Sequence, residues 1–149
     1  MNLQSLYQEL ILQHYRHPRN RGEIEVPDAT VHLHNPVCGD EIVLQLRLRE
    51  GRIEQARFQG QGCSISQASA SMMSQLVEEK SVGEAAALSA RFTEMMHGSE
   101  DAARDKSLGD LRALAGVSKF PVRIKCALLA WEALGEASKR AVEKAGDPT

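Results

Sequence analysis

The sequence predicts an α+β fold, and three observations carry that expectation. Within residues 29–59, three short runs alternate apolar with polar residues, the two-residue period of half-buried strands. Runs before and after them repeat apolar residues every three or four positions, the period of helices that share a core. The chain of 149 residues, 42% hydrophobic and 26% charged, is long enough for one well-cored domain and too short for two. A single domain over residues 1–149 is expected.

Leu3, Leu6, Tyr7, Leu10, Ile11 and His14 place an apolar stripe on a helix over residues 3–15, with Asn2 as its N-cap. Pro18 ends that helix, because a residue before proline is pushed out of helical dihedrals. The basic turn Arg19-Asn20-Arg21-Gly22 reads as a solvated connection rather than a docking surface. Strands follow at 29–34, 42–48 and 53–59. In the second, Ile42, Leu44, Leu46 and Leu48 share one face, opposite Gln45, Arg47 and Arg49. Glu50-Gly51-Arg52 turns the chain into the third strand, where Ala56 and Phe58 alternate, so the three form an antiparallel meander with one solvated face. His32 and His34 share a strand face and could reach a metal, but no cysteine stands at matching spacing; they read as a solvent-facing pair.

From Ser64 the run SISQASASMMSQL supports a helix, whose small residues Ala68, Ser69, Ala70 and Ser71 imply close packing against the sheet. Met72, Met73, Met95 and Met96 read as core filler. Ser81-Val82-Gly83-Glu84 has the form of a capping box and opens a helix with Leu88, Phe92 and Met95 on one face, ending near Met96. Residues 100–106 are dense in charge and are expected to be an exposed connection or a loosely held turn. A short helix from Ser107 carries Leu108, Leu111 and Leu114 and ends at Gly116. Pro121 opens the last helix at its first position, where a missing N–H costs nothing, with Val122, Cys126, Leu129, Ala130 and Ala133 on one face. From Lys139 the pattern fades, and residues 139–149 are expected to form a frayed tail.

Composition excludes several function classes. A net charge of -2 with 4% aromatic residues offers neither a basic footprint nor a stacking platform for nucleic acid. No apolar run approaches the length of a membrane-spanning helix, and the first residues lack the basic and apolar regions of a secretion signal. A cytoplasmic protein is therefore expected. An odd number of cysteines, three, argues against a disulfide framework there and leaves metal binding, catalysis or plain packing.

The stretch Asn35-Pro36-Val37-Cys38-Gly39-Asp40 favours the first of these, since it offers a thiol and a carboxylate either side of a glycine. Folding must supply the other half from Cys63 and Cys126. Three thiolates and one carboxylate, from Cys38, Asp40, Cys63 and Cys126, match the tetrahedral preference of zinc. Cys63 falls at the start of one helix and Cys126 in the early turns of another, where the helix dipole favours an ionised thiol. Such a formally dianionic zinc site needs positive surroundings, which Arg123, Lys125 and the helix N-termini could supply. Asp40, a hard ligand among soft ones, should be the easiest to displace, so the site reads as built for exchange.

These residues carry a resemblance. LYQELILQHYRHPRNRG at the start, NPVCGD around Cys38, FQGQGCSISQASASMM around Cys63 and GVSKFPVRIKCALLAWEAL around Cys126 are similar, in this order, to the U-type iron–sulfur assembly proteins and above all to their SufU branch. The resemblance implies a small antiparallel sheet with α-helices packed on one face and the metal site at one end. It places the metal ligands on Cys38, Asp40, Cys63 and Cys126. IscU scaffolds have a histidine where this chain has Lys125, and a shorter stretch between the last two cysteines; both differences point to SufU. That branch implies a zinc-bound sulfur acceptor, a co-substrate of a pyridoxal-phosphate-dependent cysteine desulfurase rather than a stand-alone enzyme. It would take persulfide sulfur on Cys38, the loop thiol, and pass it to downstream iron–sulfur assembly or acceptor proteins. The alternatives are a scaffold for a transient [2Fe–2S] cluster or iron, and a structural zinc module; Asp40 speaks against the last, since structural sites are usually closed by cysteine and histidine.

Overall fold

The computed structural model describes residues 3–146, so the expected Asn2 cap and the final residues 147–149 lie outside the described residues. In chain order the elements are α1 (Leu3–Arg16), β1 (Ala29–Asn35), β2 (Asp40–Arg49), β3 (Arg52–Gln61), α2 (Ser64–Val77), α3 (Val82–Met96), a single turn α4 (Glu100–Ala103), a 3-10 segment (Lys106–Lys119) and α5 (Pro121–Gly146). The fold is α+β. Its strands pair antiparallel in the order β1-β2-β3, with Leu44 opposite both Val31 and Phe58. Alternation does what the sequence promises: Val31, Ile42, Leu44, Leu46, Ile53, Ala56 and Phe58 are buried on one face, against which α5 and α2 pack. On the other face His32 meets Glu41 at 3.1 Å, both partly exposed, as a solvent-facing histidine should.

Helix α2 packs on the sheet as expected and is enclosed by helices as well. Every residue from Ser66 to Ser74 is buried, which requires partners on all sides, and α1 and α5 supply them together with β3. Small side chains make this possible, and each serine finds a partner: Ser69 Oγ donates to the Ala127 carbonyl at 2.7 Å, and Ser74 Oγ to those of Ser71 and Arg19. His14, the polar member of the α1 stripe, is 1% exposed and lies between Ser71 Oγ (2.7 Å from Nδ1) and Asp110 Oδ2 (2.9 Å from Nε2). A carboxylate only accepts, so Nε2 carries a proton, and His14 ties α1 to both α2 and the 3-10 segment.

The basic turn after α1 is not merely solvated. The Arg19 and Gly22 amides donate to Ser71 Oγ and the Phe58 carbonyl, and the Phe58 amide donates to the Asn20 carbonyl, so the turn lies along the free edge of β3 and closes it. Residues 100–106 are also held rather than loose. Ala102 is fully buried, and Arg91 reaches Asp101 and Asp105 at 2.7 Å each. Hydrogen bonds from Ser107 and Arg91 draw the Asp105 carboxyl down to about 2. The helix expected over 107–116 is a 3-10 segment that bends at Gly109 and runs on to Lys119. Its buried residues explain why: Leu108, Leu111, Leu114 and Val117 recur every three positions, the period of a 3-10 turn. Finally, α5 does not fray at Lys139. Leu134, Ala137 and Ala141 continue its buried face, and Arg140 bonds the Thr30 carbonyl, so the helix holds to Gly146; alanines pack closely while leaving little hydrophobic pattern in the sequence.

Candidate metal centre

Four pieces of chain meet at one end of the sheet. Asn35 closes β1, and its Oδ1 accepts from the Val37 amide at 3.1 Å while its carbonyl accepts from Gly39 at 2.8 Å, which curls residues 35–39 into a tight turn. Gly39, at φ +74°, lets that turn close in the left-handed region. Cys38 rides on the turn, half-buried. Asp40 was expected in the same connection; it is instead the first residue of β2, paired with Asn35 and fully buried. Its Oδ1 accepts from the Cys63 amide at 3.0 Å and from Ser66 Oγ at 3.2 Å, while Oδ2 is buried with no hydrogen-bond partner among the described residues.

Cys63 is the N-cap of α2, as its position before SISQ implies, and its sulfur accepts from the Ser66 amide at 3.4 Å. Cys126 differs from expectation. It lies past the first turn of α5 and is fully buried, so it is not an accessible helix-start thiol; burial, with Asp40 and Cys38 beside it, pushes that thiol well above its ordinary range. Its sulfur stands 3.1 Å from that of Cys38. Donor atoms of Cys38, Asp40 and Cys126 all lie within 4.8 Å of one another. The Cys63 sulfur is outside this group, although its residue adjoins the group through the amide bond to Asp40.

The donors suit a metal. Two close sulfurs need a cation or a proton between them, and the bare Asp40 Oδ2 is a buried acceptor lacking what it would accept from. Positive charge comes from one of the two expected side chains. The Cys63 thiol, then those of Cys126 and Cys38, hold the exposed Arg123 guanidinium above its usual range. The sequence reading missed Ser66, whose hydroxyl fixes Asp40; its place three residues after the capping Cys63 is the only local signal.

Gly62 sets the cradle. At φ +152°, a Cβ built there would run into Asp40 Oδ1 and Ser66 Oγ. Gly62→Ala is therefore expected to cost about 1–3 kcal/mol in denaturant unfolding and to loosen metal retention together. An unchanged unfolding midpoint would show that Asp40 is not held against this backbone.

The NifU-like N terminal domain matches residues 6–139 of the chain. The zinc-dependent sulfurtransferase SufU of Bacillus subtilis is 49% identical over 134 residues, 89% of each chain. The iron–sulfur cluster assembly scaffold protein IscU of Streptococcus pyogenes is 48% identical over 138 residues, 93% of this chain and 86% of that one. A crystal structure from Fervidobacterium islandicum AW-1, assigned as a SUF-system scaffold protein for iron–sulfur cluster assembly, superposes with a TM-score of 0.81 at 30% identity and covers 92% of this chain and 99% of its own.

Proposed function

We propose, because the chain belongs to the NifU-like N-terminal domain family, that it works in iron–sulfur cluster assembly as a zinc-holding sulfur acceptor. On this reading Cys38, Asp40, Cys63 and Cys126 hold one zinc ion, whose chemistry is to keep thiolates deprotonated yet quiet. The donor is a pyridoxal-phosphate-dependent cysteine desulfurase carrying a persulfide, and the recipients are downstream iron–sulfur assembly or acceptor proteins.

The observation that carries this reading is the unequal placement of the three thiols. Cys38 is half-exposed on a glycine turn, Cys126 is sealed in the core, and Cys63 caps a helix. Only Cys38 therefore combines access with freedom to move. Its thiolate attacks the outer sulfur of the donor's persulfide; that sulfur–sulfur bond breaks, the donor's cysteine leaves as thiolate, and Cys38 carries the new persulfide. Val37, Phe120 and Val122, exposed large apolar residues, stand beside Cys38 or lead into α5, and Cys38 Sγ lies 3.8 Å from the Val122 carbonyl. Such an apolar rim supports a protein as the donor rather than a small molecule.

Zinc-loaded protein is expected to raise the turnover of a cognate desulfurase several-fold while having no turnover on free cysteine. Equal desulfurase rates with and without it, in the presence of a thiol reductant, would favour a second reading. In that reading the same thiolates assemble a transient [2Fe–2S] cluster as cargo; the Streptococcus relative is named an iron–sulfur cluster assembly scaffold protein. The exposed Lys125 beside Cys126 is the feature that favours the acceptor, since an ammonium at that position is no ligand.

A further inference from the structure

We propose that Cys126 is a resolving thiol: once Cys38 carries a persulfide, Cys126 attacks Cys38 Sγ, expels hydrosulfide and leaves a Cys38–Cys126 disulfide. The chain then converts sulfane sulfur to sulfide by itself. This inference rests on the acceptor role of Cys38 proposed above.

The geometry of the two sulfurs carries it. They stand 3.1 Å apart, and a disulfide bond of about 2.05 Å needs them to approach by only about 1 Å more. Both face the same Val122 carbonyl, at 3.8 Å each. Burial divides the labour between them. Cys126 is closed to solvent, so no outside persulfide reaches it, whereas half-exposed Cys38 can be loaded from outside and attacked from within. Cys63 does not compete, because its sulfur caps α2 and stands outside the Cys38–Asp40–Cys126 group.

Attack on the inner sulfur is favoured over attack on the outer one. The 3.1 Å approach is to Cys38 Sγ itself, and hydrosulfide leaves more readily than an alkyl thiolate of higher pKa. Attack on the outer sulfur would only move the persulfide onto Cys126. The three thiols hold the Arg123 guanidinium above its usual range, so positive charge is available near the departing hydrosulfide.

Atoms and electrons balance without an external oxidant. The Cys38 persulfide bond breaks and the Cys38–Cys126 bond forms. Cys126 sulfur is oxidised, the sulfane sulfur is reduced to sulfide, and Cys38 sulfur keeps its oxidation state. Buried Cys126 reacts as a thiol rather than as a free thiolate, so its proton passes to the departing sulfur as the new bond forms, and that sulfur leaves as hydrogen sulfide. A dithiol reductant must regenerate the pair before a second round. Because the disulfide consumes two of the proposed metal donors, sulfide release should also lower metal retention.

The test loads the full chain anaerobically with inorganic polysulfide, desalts it, and follows sulfide release alongside non-reducing peptide mass spectrometry. Wild type is expected to lose its Cys38 persulfide, release sulfide in equal amount, and yield a peptide linked between Cys38 and Cys126. Cys126→Ser should keep the persulfide and release sulfide at least about tenfold more slowly. The linked peptide is read in wild type, so a poorly folded variant does not spoil the test. A stable Cys38 persulfide without a linked peptide, or linkage to Cys63 instead, would overturn this inference and leave the acceptor role standing. No sulfane sulfur on Cys38 in Cys126→Ser, together with no linked peptide in wild type, would overturn both.

Discussion

Cys126→Ser is expected to abolish stoichiometric zinc binding and to lower stability twice over, whereas Cys38→Ser should lower it once. Loss of a second-sphere partner already costs 10–100-fold in metal affinity, so loss of a ligand should cost about 100-fold or more. Zinc at about a hundred times its Kd stabilises a folded protein by about 2.7 kcal/mol, which for a domain of this size is roughly 5–10 °C in Tm. Both variants forfeit that contribution. Cys126→Ser also trades a buried sulfur for a smaller and more polar hydroxyl in a fully buried site, which costs packing and desolvation. The two variants therefore separate once a chelator is added: Cys38→Ser should melt with chelated wild type, and Cys126→Ser below it. Cys63→Ser should lose zinc but keep the α2 cap, for which serine is well suited. Full zinc content and unchanged melting in all three variants would remove the site.

The second large effect belongs to Asp40, which is fully buried and hydrogen-bonded to the start of α2 as well as placed among the proposed metal donors. Asp40→Ala would leave the Cys63 amide and Ser66 Oγ without their acceptor, at a cost of about 1–3 kcal/mol before any metal is considered. Asp40→Asn is the cleaner probe. Its amide oxygen can take both bonds that Oδ1 now takes, while the position of the bare Oδ2 receives a donor that cannot bind a cation. Zinc should then exchange faster with a competing chelator while the chelated protein melts near wild type. Asp40→Cys should do the opposite, since a fourth thiolate makes an ordinary structural zinc set, raising zinc retention and suppressing persulfide formation on Cys38. Peptide mass spectrometry after incubation with the desulfurase reads the outcome. Persulfide formation at the wild-type rate in Asp40→Cys, with zinc still bound, would show that opening of this site is no part of sulfur transfer.

What the sequence determined by itself is whatever repeats or signals within a single element. Alternation in 42–48 set the buried face of β2, the Ser81/Glu84 capping box set the start of α3, and Pro121 set the start of α5, because each depends on neighbours a few positions away. The chemistry of the site was legible for a similar reason. Thiolate is the ligand that most favours zinc, and the three cysteines stand at a turn or near helix starts, with Asp40 two residues from Cys38. The leucines at 108, 111 and 114 were visible too, but their period of three was read as an α-helix. Only the tertiary structure decided which of these groups are neighbours and what each can do there. It closed α2 on all sides, seated His14 between Ser71 and Asp110, carried α5 beyond Lys139, and put Asp40 at the head of a strand under Ser66. It also set Cys126 in the core against Cys38 while leaving Cys63 to cap its helix. Each of these outcomes joins residues distant in the chain, and burial or hydrogen bonding at such separations follows from how whole elements pack, which no local pattern encodes.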